Sequence, residues 1–446
     1  MKKSIARAFV AFALSGAVFA GASEAGLALP EDQIPQLQVL VEQAMRQSPR
    51  MLERNLDLVQ AEADGYMARA SSLPRLGASL NYDLQREKRG ANGPRQNNEQ
   101  FAYNISLTQQ VWHWGALEAS RKISRIDESL SRLNYGEAYR LLAAEVRSAY
   151  LGLVVQKLSL NNAEHVFRMA QANLGRQQER YKSGQITYGQ IMVDQLRMDD
   201  SDLVARRARA DMDLALDAFR ALSGMADFSV GDLPDSIPEL SQAPAFQSTA
   251  GSSLVESHAG VLAAEKEVEK AKLGLIGPKY QLYPRLDLAA GNRRDEISDD
   301  VNPNNKYLTE SLFVGVRVNW SLFDGFSNKG QKLAALTRLR RAEQRLTSLR
   351  DTLGRALQRE ENNIRFTWDS YQVAKMRLRM AREGLTHMEQ QFEQGLASQA
   401  QIDDAQTGVN NNLYLTQAAL AAHLNANVQY LSSRGLDPLG KSEVHH

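Results

Sequence analysis

The chain has 446 residues, 43% of them apolar, a mean hydropathy of −0.42, 53 Lys plus Arg against 52 Asp plus Glu, and no cysteine. The even charge balance speaks against a nucleic-acid partner, which demands a basic excess. The missing cysteines exclude a disulfide framework, a thiolate metal site and a lipobox anchor, and a chain this polar argues against one thick core.

The first element reads as a secretory signal peptide over residues 1–22. Lys2, Lys3 and Arg7 precede an apolar run from Ala8 to Phe19 that is too short to span a bilayer. Small residues at Val18-Phe19-Ala20 and Ala20-Gly21-Ala22 offer cleavage sites. Its removal leaves 50 basic against 52 acidic residues. No later stretch approaches 18 consecutive apolar residues, so the exported chain is expected to be soluble or a β-barrel.

Next come a helix from about Pro35 to Arg46, a break at Ser48-Pro49, and a helix from about Met51 to Ser72 that Pro74 ends. Leu76, Ala78, Leu80 and Tyr82 then alternate with polar or small residues, as do Phe101, Tyr103, Ile105 and Leu107. Period two predicts two strands with one oily face, a hairpin over about 75–111, joined by a polar loop. From Ala116 to Lys182 there is no proline, and Ile123, Ile126, Leu130 and Leu133 step by 3, 4 and 3. That is a narrow coiled-coil seam on a helix about 100 Å long at 1.5 Å per residue. Gly184 turns it, and a partner helix returns from about Tyr188 to Leu222.

Residues 226–253, with Pro234, Pro238 and Pro244, read as a linker. The order is then replayed: a helix from about Leu254 to Lys279, a hairpin over about 285–322, a second long helix, a turn at Gly395 and a last helix ending near Gly435. Residues 437–446 read as a disordered tail. Pro74-Arg75-Leu76 recurs as Pro284-Arg285-Leu286, and Gly184, Ile191 and Gly224 recur 211 residues later as Gly395, Ile402 and Gly435. So long a repeat is a duplicated architecture. Repeat 1 is expected over 23–225 and repeat 2 over 254–436. The fold class is mainly α with a small β part. Thin seams suit a tube wall wetted on both faces. Two hairpins give four strands, too few to close a channel, whereas three chains would supply twelve with an oily outer face toward lipid. Tyr82, Tyr103 and Trp320 are candidate interfacial aromatics.

These features resemble the TolC family of outer-membrane efflux and secretion channels. The resemblance runs from about Leu37 to Leu436. It rests on Leu73-Pro74-Arg75-Leu76, on Gln110-Val111-Trp112 and Trp320-Ser321-Leu322-Phe323-Asp324-Gly325 closing the hairpins, and on the turns at Gly184 and Gly395. It implies a homotrimer, with a 12-stranded barrel in outer-membrane lipid on a periplasmic α-helical barrel. A periplasmic adaptor and an inner-membrane transporter are the implied partners, and Pro74 and Pro284 become the helix-to-barrel junctions. It further implies that the tips Arg180, Ser183, Gly184, Gln185, Ile186, Gln394, Gly395 and Leu396 dock the adaptor. Asp404, with Asp403 and Gln401, would line the narrow entrance. A polar lock typical of the family is missing here, because its arginine falls on Ala397 and its acidic partner on Gln190.

Catalytic signals are nearly absent. Apart from the tail pair His445-His446, no two of the seven histidines share a zinc-like spacing with a carboxylate, and the phosphate-loop likeness at Gly325–Lys332 fails because Gln331 stands where lysine is needed. No enzyme activity, cofactor, metal or nucleic acid is expected. A periplasmic coiled-coil adaptor or structural protein is the alternative, although it leaves the matched hairpins unexplained.

Overall fold

Helices dominate because long runs lack proline and carry apolar residues at heptad spacing. The computed structural model describes residues 27–88, 95–240, 243, 255–256, 258–298 and 306–435. The expected signal peptide, the tail and most of the second half of the linker lie outside these residues. In chain order the elements are α1 (Pro30–Gln33), α2 (Pro35–Gln47), α3 (Pro49–Ala70), β1 (Arg75–Lys88), β2 (Arg95–Trp112), α4 (Ala116–Lys182) and α5 (Tyr188–Ser223). After a 3-10 turn at Val230–Asp232 follow α6 (Ala259–Leu273), α7 (Ile276–Lys279), β3 (Arg285–Ser298), β4 (Lys306–Asn319), α8 (Ser327–Glu393) and α9 (Gln399–Ser433).

The long helices α4 and α8 have 67 residues each and start 211 residues apart. Each is flanked by two shorter helices end to end: α3 and α5 pack on α4, while α6 and α9 pack on α8. The halves join where α4 also touches α6 and α9. Eight residues among those described have positive φ, and all pair at 211: Trp114 with Gly325, Gly115 with Phe326, Gly184 with Gly395, and Gly224 with Gly435.

Two sequence expectations are corrected in detail. The helix expected from Leu254 to Lys279 is broken into α6 and α7. Pro278 has no N–H for the Gly274 carbonyl four residues back, and its ring crowds that oxygen. The first half of the presumed linker, residues 226–240, is packed rather than loose. Phe228, Leu233, Ile237 and Leu240 are buried in one cluster with Tyr150 and Leu153 of α4, Phe219 of α5, Tyr371 of α8 and Leu424 of α9. Burying side chains of this size stabilises by about 1.5–3 kcal/mol each, which outweighs the linker-like composition.

The four strands form one antiparallel sheet in the order β1-β2-β3-β4. Leu76 faces Leu107, which faces Ala290, which faces Val314, so one register carries an apolar row across all four strands. Among the described residues nothing covers that face: Leu76, Leu80, Leu84, Leu312 and Val314 are exposed, the last by 84%. A bulge between Gln110 and Trp112 shifts the register just before the last β2–β3 pair, Trp112 with Leu286. None of the described helices is long and apolar enough to cross a membrane.

Candidate functional site

The two helical turns are built alike. At the first, Gly184 N–H donates to Tyr181 O (2.8 Å) and Gln185 N–H to Arg180 O (2.9 Å). At the second, Gly395 donates to Phe392 O (2.9 Å) and Leu396 to Gln391 O (2.8 Å). These are Schellman caps, with glycine at φ 73° and 70°. Both following helices open with a capping box, Thr187 with Gln190 and Ser398 with Gln401. Arg180, Ser183, Gln185, Gln394 and Leu396 stand exposed around the glycines, and Ile186 is half-buried. Leu396 is 74% exposed, and nothing lies within 4 Å of where a Cβ would sit on either glycine.

The three residues expected at the entrance separate in their roles. Asp403 is held by Arg176 of α4 at 2.6 Å and accepts from Gln399 Nε2 at 3.0 Å. Gln401 turns back to its own helix start, accepting from Ser398 N–H at 2.7 Å and Ser398 Oγ at 3.1 Å. Asp404 is exposed. Asp403 and Asp404 line one groove of about 730 Å³ between α4, α5 and α9, which also contains Arg176, Asp194, Arg197 and Asp200; Gln401 does not line it. Gln190, expected from the resemblance at a place of the family lock, is engaged in its capping box. The Arg176–Asp403 pair joins the two helical hairpins eight residues from each turn glycine. Burial and the nearby Arg168 push the His165 imidazole below its ordinary range, against the pull of Asp403.

Sequence reading missed the tie between the hairpins at the foot of the sheet. His113 Nε2 meets Asp287 Oδ1 at 2.9 Å, and Asn319 donates to the other Asp287 oxygen at 3.0 Å. Trp114 Nε1 donates to Pro284 O at 2.8 Å, and its ring packs on Tyr280 and Tyr283. Trp320 Nε1 donates to Leu282 O at 2.9 Å. Pro74 ends the turn before β1 and Pro284 the turn before β3. The signal was the density of aromatics beside each junction. Amphipathic aromatics of this kind suit a membrane–water boundary. Among the described residues no group of His, Asp and Glu could hold a metal ion.

Comparison with known proteins agrees with this layout. The sequence profile of the outer membrane efflux protein family matches residues 40–225 and 251–433. The pyoverdine export outer membrane protein OpmQ of Pseudomonas putida is 27% identical over 266 residues, covering 57% of this chain and 55% of that protein. Its counterpart in Pseudomonas aeruginosa is 25% identical over 280 residues, at the same coverage. The match thus spans about half the length of these curated relatives. Among solved structures, the Campylobacter jejuni CmeC outer membrane channel superposes with a TM-score of 0.73 at 13% identity, covering 96% of this chain and 94% of that one. A membrane protein from Pseudomonas aeruginosa gives 0.72 at 18% identity, covering 99% and 100%. The fold is therefore that of the TolC-like channels, and the chain belongs to the outer membrane efflux protein family, placing it in the outer membrane.

Proposed function

We propose that the protein is the trimeric outer-membrane exit duct of a tripartite efflux or type I secretion system. It conducts substrate passively from a periplasmic adaptor and inner-membrane transporter to the exterior. The observation that carries this is the four-stranded sheet, which has an uncovered apolar face and two free edges on top of helices too long for a private core. Three such sheets edge to edge would remove the free edges, and the apolar face would then meet lipid. The adaptor would dock on the exposed turns at Gly184 and Gly395. Both named relatives serve pyoverdine export, which supports an export duct. The sequence holds no phosphate-binding motif, so energy would come from the transporter.

Cell fractionation with a mass measurement in detergent tests the reading. Recovery in the outer membrane at roughly three times the 49.6 kDa chain mass, less the leaders, is expected. A stable monomer in the soluble periplasm overturns it.

A further inference from the structure

The first half of α8 departs from its counterpart in charge. Residues 327–359 carry nine Lys or Arg against two acids, Glu343 and Asp351, whereas 116–148 of α4 carry six against five. The cations of α4 are mostly paired, as Lys122 with Glu118 and Arg132 with Glu128. Among the described residues, most of those in 327–359 of α8 are not. Arg350 reaches Glu265 at 2.7 Å, while Arg338, Arg341 and Arg345 have no ion-pair partner among the described residues.

These three arginines line a groove of about 460 Å³ between α4, α6 and α8. Lys270 also lines it and is paired with Asp127 at 2.5 Å. Glu267 is the one acid there and offsets a single charge. The rest of the lining is apolar, including Ile123, Ala271, Ala335 and Ala342. Spacing of three and four residues sets the guanidinium stems ~4.5 and ~6 Å apart along the helix. At the same places in the first copy, 211 residues earlier, stand Asp127, Leu130 and Asn134. The architecture therefore does not need cations there.

We infer that this groove is a binding site for a small anion carrying two or more carboxylate or phosphate groups. Guanidinium forks match the planar oxygen pairs of such groups, and several in a row select for more than one anionic group. The small apolar floor admits the ligand's carbon body. On α8 the face of Trp368 and Tyr371 packs against the cluster of residues 226–240. Arg338 lies 30 residues before Trp368 and Arg341 lies 30 before Tyr371. That is about eight and a half turns of a coiled-coil helix, so the arginines point to the opposite side. In the proposed duct that side is the lumen, a placement that rests on the duct reading; the site itself does not.

Calorimetric titration of the full-length protein in detergent with tripolyphosphate and with citrate tests the site. Wild type is expected to bind at least one of the two. The R338Q/R341Q/R345Q variant should bind about tenfold more weakly or not at all. Arg341→Leu copies the residue of the first copy, so it keeps the fold and should weaken binding on its own. Absence of wild-type binding, or equal binding by both variants, overturns the site. Planar-bilayer recording tests the placement: the bound anion should block wild-type current and spare the triple variant. Binding without block places the groove outside the lumen and overturns that part. Binding by a protein that forms no channel overturns the duct reading and leaves the site standing.

Discussion

Phe326 and Gly115 hold the same place in the two copies, and both are wound left-handed, at φ 69° and 78°. Their neighbours exchange roles: Trp114 at 53° precedes Gly115, while Gly325 at 64° precedes Phe326. Each sheet-to-helix turn thus combines one glycine with one aromatic in a strained region. The aromatic is retained for its contacts: Trp114 bonds Pro284 O and Phe326 packs on Phe323.

A graded alanine series follows. A side chain in the left-handed region costs about 1–2 kcal/mol. Gly115→Ala and Gly184→Ala should lose about that much, since no atom crowds the new Cβ closer than 3.9 Å. Gly224→Ala should lose clearly more, because its Cβ would lie 2.6 Å from the Gln47 carbonyl oxygen at the end of α2. Helix melting by circular dichroism should rank Gly224→Ala lowest; equal melting of all three would refute the close approach.

Arg147 is 2% exposed, and its Nε meets Glu31 Oε1 at 2.5 Å, tying α4 to α1. Removing one partner leaves a buried charge without compensation, at a cost of about 3–5 kcal/mol. Arg147→Met should therefore destabilise strongly. Adding Glu31→Leu should restore much of the loss, and a double variant no more stable than the single would show that the pair is not coupled.

The long helices, both hairpins and the 211-residue offset were legible because each leaves a period in the sequence: 3.5 for the seams of Ile126 and Leu130, two for Leu76 to Tyr82. The roles of individual polar residues were not. Gln401 and Asp403 sit two positions apart on one helix, yet one caps its own helix and the other pairs with Arg176, 227 residues away. Nothing local encodes the second contact. The packing of residues 226–240 was hidden for the same reason, since Phe228 and Ile237 have neither helical nor strand spacing.

His423 is buried against Trp368, with Thr367 Oγ1 at 3.2 Å. Burial pushes its pKa down to about 4, against the opposing contact with the Ile364 backbone. The unfolded chain titrates near 6.5, so below that pH it binds a proton that the folded chain refuses. The contribution is fully present above pH 6.5 and is lost as the pH falls toward 4. His423→Gln should flatten the decline of melting temperature over this window; an unchanged slope would remove His423 as its source.

On the duct reading, the Arg176–Asp403 pair would take the place of the family lock whose positions the resemblance puts at Gln190 and Ala397. It is part-exposed, so its energetic weight is about 1 kcal/mol or less, but it joins α4 to α9 beside the turns. Arg176→Gln should raise the open fraction in planar-bilayer recordings. No change in gating would show that the hairpins are held together by other contacts.

Asp404 is exposed on the same groove as Asp403, without a partner among the described residues. In a trimer three copies would gather near one axis. A ring of carboxylates favours cations over anions. Because Asp403 is neutralised by Arg176 and Gln401 is uncharged and engaged in its cap, Asp404 alone supplies the free negative charge among these three. A cation-preferring pore, partly blocked by multivalent cations from the periplasmic side, is expected. Asp404→Asn should reduce both the preference and the block while leaving the trimer intact. Releasing Asp403 through Arg176→Gln should strengthen them, so the two variants are expected to shift selectivity in opposite directions. Shifts of the same sign, or none, would place Asp404 away from the conduction path.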